Sequence, residues 1–400
     1  MTRVLRQTTR DLRRHNRAAL LCSLYLRGPA SRLELVAESG LSPATVTNVV
    51  AELIADGLVA EAGSVESDGG RPRTLLRVRP DFARVVGVDV GETHVCVGLF
   101  DCALETLATV QLPLGGTNLE PVEVARQVRA EVTRVLGECG VAPDGVLGVG
   151  VGVPGAVRDG GVVHAPTLGW AGIGFGDLLR AHLPVAAPVH LDNRARTLGQ
   201  AEMWRGAGRG AERAVIALLG VGVGAAFVTG GASFPAITTT EWGHTVVQSG
   251  GADCRCGSRG CLEAYVGAEA VVRRYLDKPG SEPVHGGQAE AQLAEVAARA
   301  RTSGAAAEAL AETGEYLGIG IANLINLLAP DRVVLAGSAG AVLGRAVVAH
   351  VRTASARHAL AYLAESTAIE PGHLGPEAVA LGAATLPIEA LLASGGRTAA

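Results

Sequence analysis

Residues 238–265 read TTTEWGH, then nine further residues, then CRCGSRGCLEAY. Three of the seven cysteines fall in this stretch, at Cys254, Cys256 and Cys261, and His244 lies just before them. Three thiolates and one imidazole complete a tetrahedral zinc shell without an open position, so the sequence predicts a structural zinc ion. Two carboxylates, Glu241 and Glu263, flank the ligands and would be held by them beside a small-molecule site. The alternative is that they form a solvated pair.

The composition describes a soluble globular chain, with 48% apolar and 18% charged residues over 400 positions. This length predicts two or three domains. No segment has the pattern of a signal peptide, and none approaches the roughly 20 apolar residues of a membrane span. We therefore expect a cytoplasmic protein without a membrane partner. In that compartment clustered cysteines bind metal more often than they form disulfides.

Charge is distributed unevenly along the chain. Residues 1–80 hold 12 arginines and 8 acidic residues, whereas the remainder holds 23 basic and 31 acidic residues. A basic segment ahead of an acidic body indicates nucleic-acid binding at one end. The basic residues begin with an N-terminal arm whose alternative interpretation is a solvated helix face; its arginines are Arg3, Arg6, Arg10, Arg13, Arg14 and Arg17.

Three helices and two strands are predicted within the first eighty residues. A helix over 16–27 is followed by a capping box at Ser31–Glu34, and a further helix starts at Ser42 with a proline next to it. Strands at 58–60 and 75–78 complete a winged helix-turn-helix; a small helical oligomerisation domain is the alternative. The candidate DNA contacts are polar residues at the start of the third helix and arginines at the wing tip: Ser42, Thr45, Thr47, Asn48, Arg71 and Arg73.

The rest of the chain repeats a unit of apolar strand, glycine turn and helix. Such repeats predict an α/β body, divided into two lobes around a cleft. A glycine-containing apolar helix is predicted over 316–328. The predicted strands are 85–90, 95–100, 146–153, 214–219, 225–228 and 332–336.

With these motifs the chain resembles the ROK family (repressors, open reading frames and sugar kinases) of the actin/hexokinase-like ATPase superfamily. The specific match is EWGH followed by CRCGSRGCLE; the turns GVGVG at 220–224 and LAGSAG at 335–340 are weaker. A winged helix ahead of the body is similar to the repressor branch. The resemblance implies a sugar site between the lobes, formed by Pro154, Gly155, Asn193, Glu241, His244 and Glu263.

The chain departs from the kinase pattern at three positions. Arg194 stands where kinases carry the aspartate that acts as general base, and a protonated guanidinium cannot accept a proton from a sugar hydroxyl. Glu92 replaces a glycine in the first phosphate turn, and Val221 replaces a hydroxyl residue in the second. We therefore predict no enzyme activity and do not expect ATP as a cofactor, while residual nucleotide binding stays open. Arg194 could pair with Asp192, or it could bind an anionic group of the ligand.

Two further departures affect the sugar site itself. Thr167 stands where the family often has an asparagine, and the segment 235–240 before Glu241 is shorter than the family pattern and lacks its glycines. These differences leave the occupant of the pocket open between an unusual ligand, a sugar phosphate and no ligand.

The predicted protein is a transcriptional regulator, acting as a repressor under the control of a sugar or sugar phosphate. Its domains are a DNA-binding domain over 1–80, a first lobe over 81–195 and a second lobe with the zinc site over 196–400. We expect a homodimer or a dimer of dimers, because a two-fold protein matches a palindromic operator. An active sugar kinase with an accessory DNA-binding domain is one alternative, and a zinc or thiol-redox sensor is another.

Overall fold

The computed structural model describes residues 8–67, 70–114, 119–230 and 236–397. The side chains of Thr9, Ser67 and Arg71 also lie outside the described part. The chain is mixed α/β, with a small N-terminal unit and a body built on two five-stranded sheets. No helix in the described ranges is long and apolar enough to cross a membrane.

The N-terminal unit packs three helices against a three-stranded sheet of order β1-β3-β2. Both predicted caps are present: the Ser31 hydroxyl accepts from the Glu34 amide, and Ser42 caps the next helix ahead of Pro43. Left-handed Gly40 ends the middle helix. The elements are α1 (Thr9–Arg27), β1 (Ala30–Ser31), α2 (Arg32–Ser39), α3 (Pro43–Ala55), β2 (Val59–Ser67) and β3 (Gly70–Val78).

The predicted basic arm is in part a helix. The first helix starts at Thr9 rather than near residue 16, because Thr8 and Asp11 form a capping box. Arg13 and Arg17 lie in this helix, and their guanidinium groups pair with Glu52 of α3. Arg3 and Arg6 lie outside the described residues.

The first sheet of the body has the order β11-β7-β4-β5-β6, in which β4, β7 and β11 are parallel. Its three central strands, β7, β4 and β5, run through residues with little exposure, as expected for strands covered on both faces, whereas the edge strand β6 is largely exposed. The elements of this sheet are β4 (Arg84–Val90), β5 (His94–Asp101), β6 (Thr106–Pro113), α4 (Pro121–Glu138), β7 (Val146–Val153) and β11 (Val189–Asn193). Between β7 and β11 lie β8 (Ala156–Arg158), β9 (Val162–Ala165), β10 (Trp170–Ile173) and α5 (Phe175–His182).

The second sheet has the order β14-β13-β12-β15-β16. Its strands are β12 (Arg213–Leu219), β13 (Val223–Thr229), β14 (Ala236–Thr240), β15 (Arg332–Ala336) and β16 (Ala368–Pro371). The segment expected to be a loop before Glu241 is therefore an edge strand from Ala236 onward. The helices are α6 (Arg194–Arg205), α7 (Glu263–Val266), α8 (Ala268–Leu276), α9 (Ala289–Arg299), α10 (Gly304–Leu328), α11 (Ser338–His358), α12 (Ala361–Ser366) and α13 (Ala378–Ala393).

Helix α13 returns to the first sheet and packs on β4, β7 and α6. Strand glycines make this close approach possible, because a Cβ at Gly87 or Gly150 would overlap backbone carbonyls of α13. Gly382 serves the same purpose from the helix side, where a Cβ would overlap the Thr197 carbonyl oxygen. The chain beyond residue 195 thus supplies the strands of the second sheet and also a helix that covers the first sheet.

The N-terminal unit and the body share one apolar core. Leu21 and Leu53 of the helices lie in the same buried cluster as Phe100, Ile388 and Leu392 of the body. The rings of Tyr25 in α1 and Trp204 in α6 meet edge to face, with centroids 5.4 Å apart. The N-terminal unit is therefore packed against the body and is not merely tethered to it.

Candidate functional site

His244 and the three clustered cysteines converge on one point. Their ligand atoms all lie within 4.8 Å of one another. The His244 Nδ1 atom is 3.7 Å from the Cys254 sulfur, and the sulfurs of Cys256 and Cys261 are 3.8 Å apart. Sulfurs on a tetrahedral zinc ion, with bonds of about 2.3 Å, are separated by about 3.8 Å. The donor set and its spacing therefore fit a zinc ion.

Local backbone structure holds these ligands in place. Val246 and Cys261 form an isolated antiparallel bridge, and the Cys254 amide donates to the Ser258 carbonyl at 2.9 Å. Gly260 has φ +79°, and a Cβ there would overlap the Gln248 carbonyl oxygen. The glycine within CRCGSRGC is thus required for the chain to fold back on itself.

Glu263, the second of the two carboxylates that flank the predicted zinc ligands, is buried, with 7% of its surface exposed. Its Oε2 atom accepts from the Val223 amide at 2.9 Å, and its Oε1 atom accepts from the Arg255 Nε atom at 2.8 Å. The alternative of a solvated Glu241–Glu263 pair is therefore wrong for Glu263. Glu241 is exposed, directly before the short turn Trp242–His244.

Arg255, placed between two of the cysteines, links the cysteine loop to the first sheet. Besides Glu263, it pairs with Glu92 of the turn between β4 and β5, and its Nη2 atom lies 3.1 Å from the Glu92 Oε1 atom. A Cβ on Gly222, in the second glycine turn, would lie within 3.1 Å of both Arg255 and Glu92. The turn between β4 and β5 is therefore joined to the cysteine loop.

Arg194 forms a two-hydrogen-bond ion pair with Asp89 of β4, at 2.6 and 2.8 Å. Burial opposes the charge on Asp89, but Arg194 and the neighbouring His94 more than offset this, so the pKa of Asp89 is lowered. The suggested partner Asp192 pairs instead with Arg196, at 2.7 Å. The Arg194–Asp192 pairing is wrong because Arg194 begins helix α6 and turns toward β4.

Asn193 and Gly155 are brought together as expected. The Asn193 amide donates to the Gly155 carbonyl at 2.6 Å, while its oxygen caps α6 by accepting from the Ala195 amide at 2.7 Å. Gly155 follows Pro154 with φ +75°, and a Cβ there would overlap the His164 carbonyl. Asn193 thus joins the start of α6 to the turn that follows β7.

Most of the predicted DNA-contacting side chains are exposed, but some of them also form hydrogen bonds within the protein. Ser42, Thr47, Asn48 and Arg73 are exposed, whereas Thr45 is half-buried. The Ser42 hydroxyl accepts from the Thr45 amide at 3.2 Å and the Thr47 hydroxyl donates to the Pro43 carbonyl, so these hydroxyls also stabilise the helix start. The Arg71 side chain lies outside the described residues.

Sequence reasoning missed several members of this site. Arg255 stands inside the quoted cysteine motif and Asp89 inside the predicted strand 85–90, yet no role was predicted for either residue. Glu290, at the start of α9, acts electrostatically on Arg194. No local signal marks it, because it is separated in sequence from every recognised motif.

The sequence of this chain is similar to those of known repressors and sugar kinases. Residues 85–390 match the model of the ROK family. The chain is 27% identical to the xylose repressor of Caldicellulosiruptor bescii over 398 residues, which is 95% of this chain and 97% of the repressor. It is 30% identical to the glucokinase of Halalkalibacterium halodurans over 318 residues, which is 74% of this chain and 92% of the glucokinase.

A solved structure shares the whole fold. The crystal structure of a ROK family transcriptional regulator, a homologue of the E. coli MLC protein, superposes with a TM-score of 0.76. The match covers 96% of this chain and 98% of that one, at 22% identity. The repressor and the regulator thus match nearly the whole chain, whereas an almost complete glucokinase leaves about a quarter of it unmatched.

Proposed function

The chain belongs to the ROK family, and from that premise we propose that it is a DNA-binding transcriptional repressor controlled by a sugar bound between the lobes. The observation that carries this proposal is the similarity to a xylose repressor over 95% of the chain, N-terminal unit included. The element order of that unit, three helices followed by a two-stranded hairpin, agrees with it. Residues 1–80 are the proposed DNA-binding domain.

In this proposal helix α3 reads DNA and the β2–β3 hairpin is the wing. The exposed residues Ser42, Thr47 and Asn48 at the start of α3 face the major groove, as in other helix-turn-helix proteins. Arg73 on the hairpin, together with Arg71, contacts phosphates or the minor groove. Two such units in a homodimer, or in a dimer of dimers, bind a palindromic operator.

The second candidate is an active sugar kinase, which the similarity to a glucokinase favours. The ion pairs argue against it. Arg194 stands at the position of the general base and is itself held by Asp89. Glu92 and Arg255 lie against Gly222, where the kinase pattern places phosphate-binding backbone. We therefore propose that the body binds a sugar but does not transfer phosphate.

Helix α6 provides a direct route from the cleft to the DNA-binding domain. Its first turn carries Asn193 and Arg194, and its last turn carries Trp204, which packs on Tyr25 of α1. A ligand that changes the angle between the lobes would move this helix and the domain packed on its end. Such coupling requires different sugar affinities in the DNA-binding and DNA-free states.

Selection from a random DNA pool tests the proposal. We expect the purified chain to enrich a palindromic sequence, and xylose, glucose or N-acetylglucosamine to change its affinity for that sequence by about 5-fold or more. The double variant Asn48→Ala, Arg73→Ala should lose this binding, whereas Arg158→Ala in the body should keep it. Failure to enrich DNA, or sugar phosphorylation by ATP and magnesium above background, would overturn the proposal.

We further propose that His244, Cys254, Cys256 and Cys261 hold one structural zinc ion, because four protein ligands close its coordination shell. Elemental analysis should give one zinc per chain, and Cys256→Ser should lower the zinc content and the melting temperature together. Cys139→Ser, which changes a cysteine outside the cluster, is the control. If removal of zinc reversibly abolished DNA binding without unfolding, the site would be a sensor.

A further inference from the structure

The charged groups around Arg194 do not suit a phosphorylated ligand. Asp89 is almost completely buried, and both of its oxygens accept from Arg194. Three of the five guanidinium N–H donors stay available, but Asp89 already balances the positive charge of Arg194, which weakens its attraction for a ligand phosphate. The guanidinium that replaces the general base therefore serves the protein rather than an anionic ligand.

Arg255 is occupied in the same way. Its three guanidinium nitrogens all face carboxylates, since Nε donates to Glu263 while Nη1 and Nη2 donate to Glu92. The Glu92 side chain is 14% exposed and that of Glu263 is 7% exposed, so both carboxylates are largely shielded from solvent, whereas the Arg255 side chain is 36% exposed. Shielding makes an uncompensated negative charge at this position costly.

Glu290 adds a further acidic group. It acts electrostatically on Arg194, and its Oε1 atom lies 3.5 Å from the Ser338 hydroxyl. The Oε2 atom is buried and has no hydrogen-bond partner among the residues that the structure describes. A buried carboxylate oxygen without a donor favours a ligand that supplies hydroxyl hydrogens over one that supplies more oxygen anions.

We infer that this cleft selects an uncharged sugar over the phosphate ester of the same sugar, and that Glu92 and Arg194 are the residues that determine this specificity. The inference rests on the proposed sugar-binding function and narrows it. Four carboxylates, Asp89, Glu92, Glu263 and Glu290, surround the paired guanidinium groups of Arg194 and Arg255. A phosphate group entering this network meets an excess of negative charge and must displace an existing ion pair.

Calorimetric titration of the full chain with matched ligands tests this inference. The pairs are glucose and glucose 6-phosphate, xylose and xylose 5-phosphate, and N-acetylglucosamine and its 6-phosphate. We expect at least one free sugar to bind, and its phosphate to bind at least 10-fold more weakly. Glu92→Gln should narrow this ratio, because it removes one negative charge and frees part of Arg255. Glu105→Gln makes the same charge change at the exposed Arg205 pair and should leave the ratio unaltered.

The outcomes separate the two proposals. A phosphate that binds the unaltered chain as well as its parent sugar, or better, overturns the specificity and leaves sugar control in place. An unchanged ratio in a folded Glu92→Gln variant, checked by its melting temperature, overturns the role of Glu92. If no sugar and no phosphate binds, the proposed sugar control is itself wrong.

Discussion

Asp89 and Arg194 form a buried ion pair. Placing two charges in a buried position is unfavourable unless the geometry satisfies both of them. Here two hydrogen bonds of 2.6 and 2.8 Å join the groups, and His94 lies 3.6 Å from the same carboxylate. Removing either partner alone would leave a buried charge unpaired, and the pair stabilises the fold mainly by preventing this.

A double-mutant cycle should expose this dependence. Asp89→Asn or Arg194→Met alone should lower the free energy of unfolding by about 3–5 kcal/mol, because each leaves a buried charge unpaired. The double variant should recover much of the loss, measured by urea denaturation. Since the pKa of Asp89 is lowered, the Arg194→Met effect should be complete at neutral pH and disappear as the pH falls below the ordinary carboxyl value.

The exposed pair Arg205–Glu105 supplies the control. The corresponding cycle there should change stability by less than about 1 kcal/mol, because solvent screens exposed ions. If the Asp89 and Arg194 single variants also lost less than about 1 kcal/mol of unfolding free energy, the buried pair would not be needed for stability.

Motifs in the sequence revealed the unusual residues of the site but not the side chains that these residues contact. The departures at Glu92 and Arg194 were visible because each interrupts a motif whose other positions are intact. Their partners were not visible, since Asp89 lies 105 positions from Arg194 and Glu92 lies 163 positions from Arg255. A motif fixes which residue stands at a position, but tertiary packing decides which side chain it meets.

At the scale of elements, glycine has two uses in this chain. The sequence predicted glycine turns after apolar strands, and Gly220 and Gly222 do lie in such a turn. Gly87 and Gly150, by contrast, lie inside strands and remove side chains from the face that α13 covers. Without these glycines the helix backbone could not approach the sheet so closely.

Two glycine-to-alanine variants should differ in sign. Gly382→Ala should destabilise the body by about 2 kcal/mol or more, because the new methyl group overlaps the Thr197 carbonyl and separates α6 from α13. Gly137→Ala, within α4, meets no atom within 4 Å and should stabilise by about 0.5–1 kcal/mol through helix propensity. Thermal and urea unfolding would measure both changes, and equal effects would contradict the packing argument.

Local signals explain which elements were predicted. The start of α2 is marked by the capping pair Ser31 and Glu34, which are three residues apart, and the start of α3 is marked by Ser42 directly before Pro43. Strand β7 is marked by one continuous apolar run. The location of α13 depends on contacts with β4 and β7, far away in sequence. Its apolar residues face all directions, so periodicity could not indicate which surface it covers.

At the scale of the whole molecule, Arg17 ties the N-terminal unit to the far end of the chain. Its guanidinium is buried, and it pairs with Glu52 at 3.1 Å and with Asp56 at 2.6 Å. Its Nε atom also donates to the Gly395 carbonyl, just beyond α13, at 2.9 Å. One side chain thus joins α1, α3 and the end of α13.

Replacement of this residue should loosen the junction. Arg17→Met should lower the free energy of unfolding by about 1–3 kcal/mol, a range that allows for the partial exposure of its carboxylate partners. Hydrogen exchange should accelerate in α1 and around Gly395, with little change in β7. Arg13→Met is the control, because this exposed arginine contacts the same Glu52; a loss as large as that of Arg17→Met would contradict the junction role.

The shared core of the N-terminal unit and α13 has a consequence for biosynthesis. A ribosome releases α1 long before α13, so the nascent N-terminal unit lacks Ile388 and Leu392, two residues that complete its apolar cluster. The face of the first sheet that α13 covers is left open during the same interval. We therefore expect the emerging chain to bind DNA poorly and to engage chaperones at these uncovered surfaces until the final helix docks.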